Sequence, residues 1–231
     1  MVDTTLIYGH ATDQDAALPR PRDPSRTTAV ACRTLDFTVA SLALIVLSPL
    51  LLAIAGVIRL DSRGPALFRQ ERWGRGTKRF VVNKFRTMHT NSGNDEHVAF
   101  VQRLIAGEAE RHENLFKLAS DGRVTRVGRV LRKSSLDELP QLINVLLGQM
   151  SLVGPRPCLD YEVEKYPPHA FGRFAVKPGI TGLWQVSGRS QLSFDEMIAL
   201  DLDYACRQSF WLNVWILLRT VPVVLFGKGA A

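Results

Sequence analysis

From residue 37 to residue 58 the chain carries no charge: FTVASLALIVLSPLLLAIAGVI separates Asp36 from Arg59. A helix of that length rises about 1.5 Å per residue and reaches roughly 33 Å, enough for a hydrocarbon core of about 30 Å. The plain alternative is a buried core helix of a soluble protein. Ser48 and Pro49 sit at the centre of the run. Pro49 has no N–H and crowds the carbonyl of Ile45, so a bend is expected there, and the Ser48 hydroxyl can satisfy the freed carbonyl. Both flanks are basic. Arg20, Arg22, Arg26 and Arg33 precede the run, and Arg59, Arg63, Arg69 and Arg72 open the other side. Positive flanks stay in the cytoplasm. The expectation is a re-entrant helix-break-helix over residues 31–60, each limb reaching roughly 16 Å, half the core. A Pro-kinked spanning helix is the competing reading, because membrane helices tolerate proline.

The rest of the chain is that of a folded, basic protein. Of 231 residues, 46% are hydrophobic, which excludes overall disorder. Net charge is +7, which points to a phosphate-bearing partner: nucleic acid, an anionic membrane surface or a phosphorylated substrate. Cys32, Cys158 and Cys206 show no CxxC spacing, so a disulfide scaffold or zinc ribbon is disfavoured and cytosolic exposure is the default. Residues 1–30, with Pro19, Pro21 and Pro24 among arginines, read as a flexible tail. The apolar core begins too late for a signal peptide.

Residues 66–71 and 78–85 read as a β-hairpin, with Gly74 and Gly76 in its turn. Residues 94–119 are polar and helical in pattern, and Asp121-Gly122 marks a turn. Arg123, Arg126, Arg129 and Arg132 recur close to one helix face, and GPRP (154–157) and KPGITG (177–182) read as rigid loops. Residues 210–226, rich in Trp and Leu, form a helix that lies at the membrane interface or in the core. The fold class expected is α+β, mainly helical: a compact cytosolic catalytic domain over residues 61–231 with a small hairpin, the re-entrant membrane helix and interfacial amphipathic helices.

The chemistry concentrates at Asp137 and Glu138. Ser135-x-x-Glu138 fits a capping box, although Pro140 conflicts with a helix starting there. Acids at a helix start, with Arg132 and Lys133 upstream, favour ionised carboxylates. An ionised Asp can attack phosphorus or hold Mg²⁺; it can equally be a cap. Arg156, pinned between prolines, suits an anion or a salt bridge. Lys84 and Arg86 follow a strand and face the same site or a solvated edge. His10, His89, His97, His112 and His169 show no ligand spacing, and neither a GxSxG nor a P-loop signature is present.

Four blocks carry a family resemblance: the Ser48-Pro49 segment, NKFRTM (83–88), RVTRVGRVLRKSSLDELPQLINVLLGQMSLVGPRP (123–157) and KPGITGLWQVSGRS (177–190). With them the chain resembles the bacterial sugar transferases, monotopic phosphoglycosyl transferases of the exopolysaccharide-initiating type. DGR at 121–123, where many relatives carry DPR, is one departure, at a turn. The resemblance implies transfer of a hexose-1-phosphate from a UDP-hexose to undecaprenyl phosphate, through a covalent aspartyl phosphosugar. It implies Asp137 as nucleophile and metal ligand, with Glu138 positioning Mg²⁺ or accepting a proton. It implies phosphate or substrate contacts from Arg132 and Arg156, and we extend these to Lys84, Arg86, Pro178, Gly179 and Arg189. It places the chain on the cytoplasmic face of the bacterial inner membrane, in contact with lipid, leaves room for a homodimer and calls for no nucleic acid. A noncatalytic basic anchor binding anionic lipid is the alternative from another class; a nucleic-acid binder rests on charge alone.

Overall fold

The computed structural model describes residues 24–90, 95–105 and 122–225. The first 23 residues, Asp121 and the polar stretch beyond Ile105 lie outside the described residues.

The uncharged run falls within one helix, α1 (Arg26–Asp61), which is long and apolar enough by length and composition to cross a membrane. It starts earlier than expected, because the Ser25 side chain accepts from Thr28 N at 3.2 Å and caps it. Residues 26–30 are therefore helix, not tail. Pro49 lies inside α1, and the Ile45 carbonyl that it leaves without a donor is taken by the Ser48 hydroxyl at 2.8 Å. The two ends of α1 grip the same body. Near the first end, Arg33 donates to Val145 O and Leu146 O, Asp36 Oδ1 accepts from Leu152 N at 2.8 Å, and Ala40 is buried. Near the second, Ile54 and Ile58 pack with Ala66, Phe85 and Leu131, and Asp61 Oδ2 accepts from Val127 N. Between the grips, Ile45, Val46, Ser48, Pro49 and Leu50 are exposed.

The hairpin forms as expected. β1 (Leu67–Trp73) pairs antiparallel with β2 (Arg79–Phe85), and the turn passes through Gly76 at φ 63°. The register sets Arg72 opposite Phe80 and Phe68 opposite Lys84, which puts Arg72 and Lys84 on one face. After α2 (Asp95–Ile105) comes α3 (Arg126–Ser134), capped by the Thr125 hydroxyl accepting from Gly128 N at 2.9 Å. Arg123 lies before this helix, so the arginine series is helical only from Arg126. A 3-10 turn (Leu136–Glu138) leads into α4 (Gln141–Leu146).

GPRP is a loop as expected, but the other expected loop is sheet in part. β3 (Ser151–Val153) pairs in parallel with β4 (Gly179–Thr181), so part of the KPGITG segment is a strand. The pairing is short and glycine-framed because the backbones nearly touch: Gly179 N donates to Pro155 O, and a Cβ on Gly154 or Gly179 would overlap backbone atoms of the other segment. The remaining elements are α5 (Asp160–Val163), a 3-10 stretch (Pro168–Ala175), α6 (Leu183–Ser187), α7 (Phe194–Arg207) and α8 (Phe210–Leu225). Among the described residues the chain is thus mostly helical with two small two-stranded sheets.

One core joins α1, β2, α4, β3 and α8 through Ala40, Val82, Leu142, Val153 and Ile216. A second lies under α5, α6 and α7, through Val163, Phe174, Trp184 and Leu202. The C-terminal helix packs one face into the core and leaves another exposed. Asn213 and Ile216 of α8 are buried, whereas Trp211, Leu218 and Val221 are exposed.

Candidate active site

The acidic pair stands on the 3-10 turn between α3 and α4. α3 ends at Ser135, which adopts the left-handed conformation at φ 58°, a position more often held by Gly or Asn. The reversal turns the next residues away from the helix axis. Pro140 then occupies the N-cap of α4, which is why no helix can begin at Ser135 and the expected capping box is not formed. The carboxylates therefore do not sit at the start of a long helix, and side-chain cations supply the positive charge instead.

Asp137 is 7% exposed and lines a cavity of about 1400 Å³ with Glu138. Lys84 Nζ lies 3.0 Å from Glu138 Oε1. Arg132, from the last turn of α3, and Arg156, from the GPRP loop, line the same cavity. So does Arg189, whose Nε–H donates to Gln185 O at 3.0 Å. Burial draws the Arg189 pKa down, and the charge of Glu138, which lines the same cavity, acts against this. Arg189, like Ser135, has a left-handed backbone (φ 50°). Two of the three non-glycine residues with positive φ among the described residues thus flank the acidic pair, where strain marks functional geometry.

Arg156 is held from behind. Its Nη1 lies 3.2 Å from Glu162 Oε1, and Glu162 Oε2 accepts from Leu159 N at 3.0 Å. Burial alone would raise the Glu162 carboxyl, but the Arg156 and Arg72 guanidinium groups outweigh it and hold the group below its ordinary value. Deeper still, Arg173 donates to Arg156 O at 3.0 Å and lies 2.6 Å from Asp201 Oδ2.

The structure thus brings Lys84, Arg132, Arg156 and Arg189 around Asp137 and Glu138. Gly179 also lines the cavity, in β4. Pro178 serves the sheet, its carbonyl accepting from Ser151 N at 2.9 Å. Arg86 lines the cavity too, but its guanidinium donates to the carbonyls of Ser62, Arg63, Gly64 and Pro65, so it clamps the loop after α1 rather than presenting an open anion site. Sequence reasoning missed Arg72, Glu162 and Gln185. Strand alternation could have found Arg72, since it shares a face with Gln70 and lies opposite Phe80.

Among the described residues no cluster of three or more His, Cys, Asp or Glu side chains is present. Mg²⁺ does not need one. It keeps several waters and combines one or two carboxylates with substrate phosphate oxygens, so Asp137 and Glu138 are a fitting donor pair.

The lining also includes Leu52, Ala55 and Gly56 of α1, so the apolar helix forms one wall of a cavity that also holds the acidic pair and its cationic neighbours. Comparison with known proteins agrees with this arrangement. The profile of the bacterial sugar transferase family matches residues 27–227. The chain is 44% identical to the UDP-glucose:undecaprenyl-phosphate glucose-1-phosphate transferase of Caulobacter vibrioides, over 89% of this chain and 74% of that protein. It is 40% identical to the exopolysaccharide production protein ExoY of Sinorhizobium fredii, over 86% of this chain and 87% of that one. It is 42% identical to the galactosyl transferase CpsE of Streptococcus agalactiae, over 87% of this chain but only 43% of that protein, so the chain spans less than half of some relatives. With its profile match and its relatives covering most of its length, the chain belongs to the bacterial sugar transferase family.

Proposed function

We propose that the chain transfers a hexose-1-phosphate from a UDP-hexose to undecaprenyl phosphate, releasing UMP and giving undecaprenyl diphosphate sugar, as the first membrane step of exopolysaccharide or other glycoconjugate assembly. The single observation that carries the reading is Asp137, buried in a cavity that is lined by several cations and shares a wall with the apolar helix. The names of the relatives supply the substrate classes: UDP-glucose and undecaprenyl phosphate for one, galactosyl transfer for another.

A carboxylate oxygen of Asp137 attacks the phosphorus that bears the sugar. The bond from that phosphorus to the bridging oxygen breaks, UMP leaves with the electron pair, and an aspartyl phosphosugar remains. A phosphate oxygen of the lipid then attacks the same phosphorus and Asp137 departs as a carboxylate. Arg132, Arg156 and Arg189 offset the charge on the phosphate oxygens. Lys84 holds Glu138 at 3.0 Å and so fixes the second acid beside the first. Mg²⁺ held by Asp137 and Glu138 would add charge neutralisation at the diphosphate.

The two grips on α1 support a re-entrant topology. A helix that crossed the bilayer would present its ends on opposite faces, yet one body holds both Asp36 and Asp61. Exposure of residues 45, 46, 48, 49 and 50 between the grips supports a hairpin apex in the hydrocarbon and a catalytic body on the cytoplasmic face.

The test is turnover of UDP-glucose and UDP-galactose with undecaprenyl phosphate by detergent-solubilised protein. UMP release is expected, abolished in Asp137→Asn and by EDTA, and restored by added Mg²⁺. Donor without acceptor is expected to leave a hexose-phosphate adduct on Asp137 by intact mass. Undiminished turnover in Asp137→Asn overturns the nucleophile, and vesicle binding with no turnover of any UDP-sugar favours the noncatalytic anchor.

A further inference from the structure

The loop that carries Arg156 is held at four consecutive carbonyls. Pro155 O accepts from Gly179 N at 2.9 Å, and Arg156 O accepts from Arg173 Nη2 at 3.0 Å. Pro157 O accepts from Arg72 Nη1 at 2.9 Å, and Cys158 O accepts from Trp73 N at 3.0 Å. Arg156 stands between two prolines whose rings fix φ, so these bonds constrain most of the backbone freedom that remains. Two of the four donors come from one place, the end of β1, where Trp73 supplies its backbone and Arg72 its side chain. Arg72 is 7% exposed, lines the cavity and makes a second bond, from Nη2 to Gln70 Oε1 at 2.9 Å. A planar guanidinium bonded through both arms has little freedom to turn. The hairpin register gives this clamp a counterpart. Phe68, Gln70 and Arg72 lie opposite Lys84, Val82 and Phe80, so all six share one face. Arg72 is four residues along β1 from the level of Lys84, about 13 Å. Lys84 Nζ lies 3.0 Å from Glu138 Oε1. One strand pair thus grips the acidic turn near one end and the Arg156 loop at the other.

We propose that Arg72 is a positioning residue for the transfer reaction: by tying Pro157 O to the hairpin face that carries Lys84, it sets where Arg156 stands relative to Asp137 and Glu138. This deepens, and rests on, the transferase reading, in which Arg156 meets the phosphate that Asp137 attacks. The Arg156 side chain has its own anchor, Glu162 Oε1 at 3.2 Å from Nη1. Its backbone and its tip are therefore held by different elements, β1 and α5. Without the Arg72 guanidinium, Pro157 O is left buried and stripped of its donor, a costly state that the loop relieves by shifting. Arg156 then keeps its charge and its carboxylate partner but is displaced, and a displacement of about 1 Å is enough to cost roughly 100-fold in rate.

The test is a double-mutant cycle on the full, detergent-solubilised chain. UMP release per folded molecule is measured in wild type, Arg72→Met, Arg156→Met and the double variant, with whichever of UDP-glucose and UDP-galactose the wild type turns over. Arg72→Met is expected to lower kcat/KM roughly 10- to 100-fold when Arg156 is present and less than about threefold when it is absent. A role confined to stability would give the same factor in both backgrounds. Should Arg72→Met not fold, Arg72→Lys takes its place in the cycle, because it keeps the charge and loses the two-armed geometry. Binding of UDP, followed by calorimetry, reads the same coupling without turnover: Kd should weaken at least about fivefold with Arg156 present and less than about twofold without it. Equal factors in the two backgrounds, or a variant at position 72 with wild-type kcat/KM, overturns the positioning role. A wild type that binds UDP but turns over no donor fails the transferase reading alone, and the binding cycle then decides whether Arg72 acts through Arg156. A wild type that binds no UDP overturns both.

Discussion

Two buried acids behind the cavity respond to pH in opposite directions. Glu162 is fully buried and held below its ordinary value because Arg156 and Arg72 outweigh the cost of burial. Its stabilising contribution is therefore present above the unfolded value near 4.5 and is lost as pH falls. Glu162→Gln is expected to cost up to about 3 kcal/mol at pH 7, the low end for a broken buried pair because Arg156 retains access to the cavity. The difference in melting temperature from wild type should close on titration below pH 4.5. UMP release should fall at least about tenfold as Arg156 loses its anchor. Asp201 behaves inversely. Burial pushes its carboxyl up to about 6 in spite of Arg173. A raised acid stabilises most below its unfolded value of 3.8, and the contribution disappears as pH rises through 6. Wild type should therefore lose stability relative to Asp201→Asn between about pH 4 and 6, the reverse of the Glu162 trend. Parallel melting curves for both variants would contradict these assignments.

At the scale of elements, the parallel β3–β4 pair carries the GPRP loop, and its geometry depends on backbone contact. A Cβ at Gly179 would collide with Gly154 N, Thr181 O and Val153 C, all backbone atoms that cannot swing aside. Gly179→Ala is expected to destabilise by several kcal/mol, as overpacking against fixed atoms does, and to depress activity through displacement of Arg156. Gly56→Ala is the control, because nothing lies within 4 Å of its added methyl. Chemical denaturation of the two variants checks this, and equal midpoints would refute the tight-contact account. The comparison of capping boxes belongs here too. Ser193-x-x-Glu196 forms one, with Ser193 N donating to Glu196 Oε2 at 2.7 Å, and α7 starts there. Ser135-x-x-Glu138 has the same pattern, but Pro140 and the left-handed Ser135 divert the chain into a 3-10 turn. The diversion is what exposes the acidic pair to the cavity.

For the whole molecule, the decisive question is which side of the membrane each end of α1 occupies. Arg26 and Arg63 flank the helix and are exposed. Cys32 and Cys158 are buried, so a Cys206→Ser background leaves little competing reactivity. In intact spheroplasts, Arg26→Cys and Arg63→Cys should both resist an impermeant maleimide, and both should react once the membrane is opened. Reaction of one of the two in intact cells would establish a spanning helix.

The sequence by itself determined the features that depend on neighbours a few residues apart. The uncharged run, the hairpin with its glycine turn and the Ser48 hydroxyl relieving Ile45 follow from local periodicity and backbone chemistry. The acidic pair and its cationic neighbours Arg132 and Arg156 were legible as motif residues. The tertiary structure decided what depends on residues distant in the chain. It made a strand of residues 179–181 by setting them against residues 151–153. It spent Arg86 on the carbonyls that follow α1, and it brought Glu162 behind Arg156. A guanidinium looks the same in sequence whether it will meet a ligand or a carbonyl; only the packed chain, which must satisfy every buried polar group, assigns its partner.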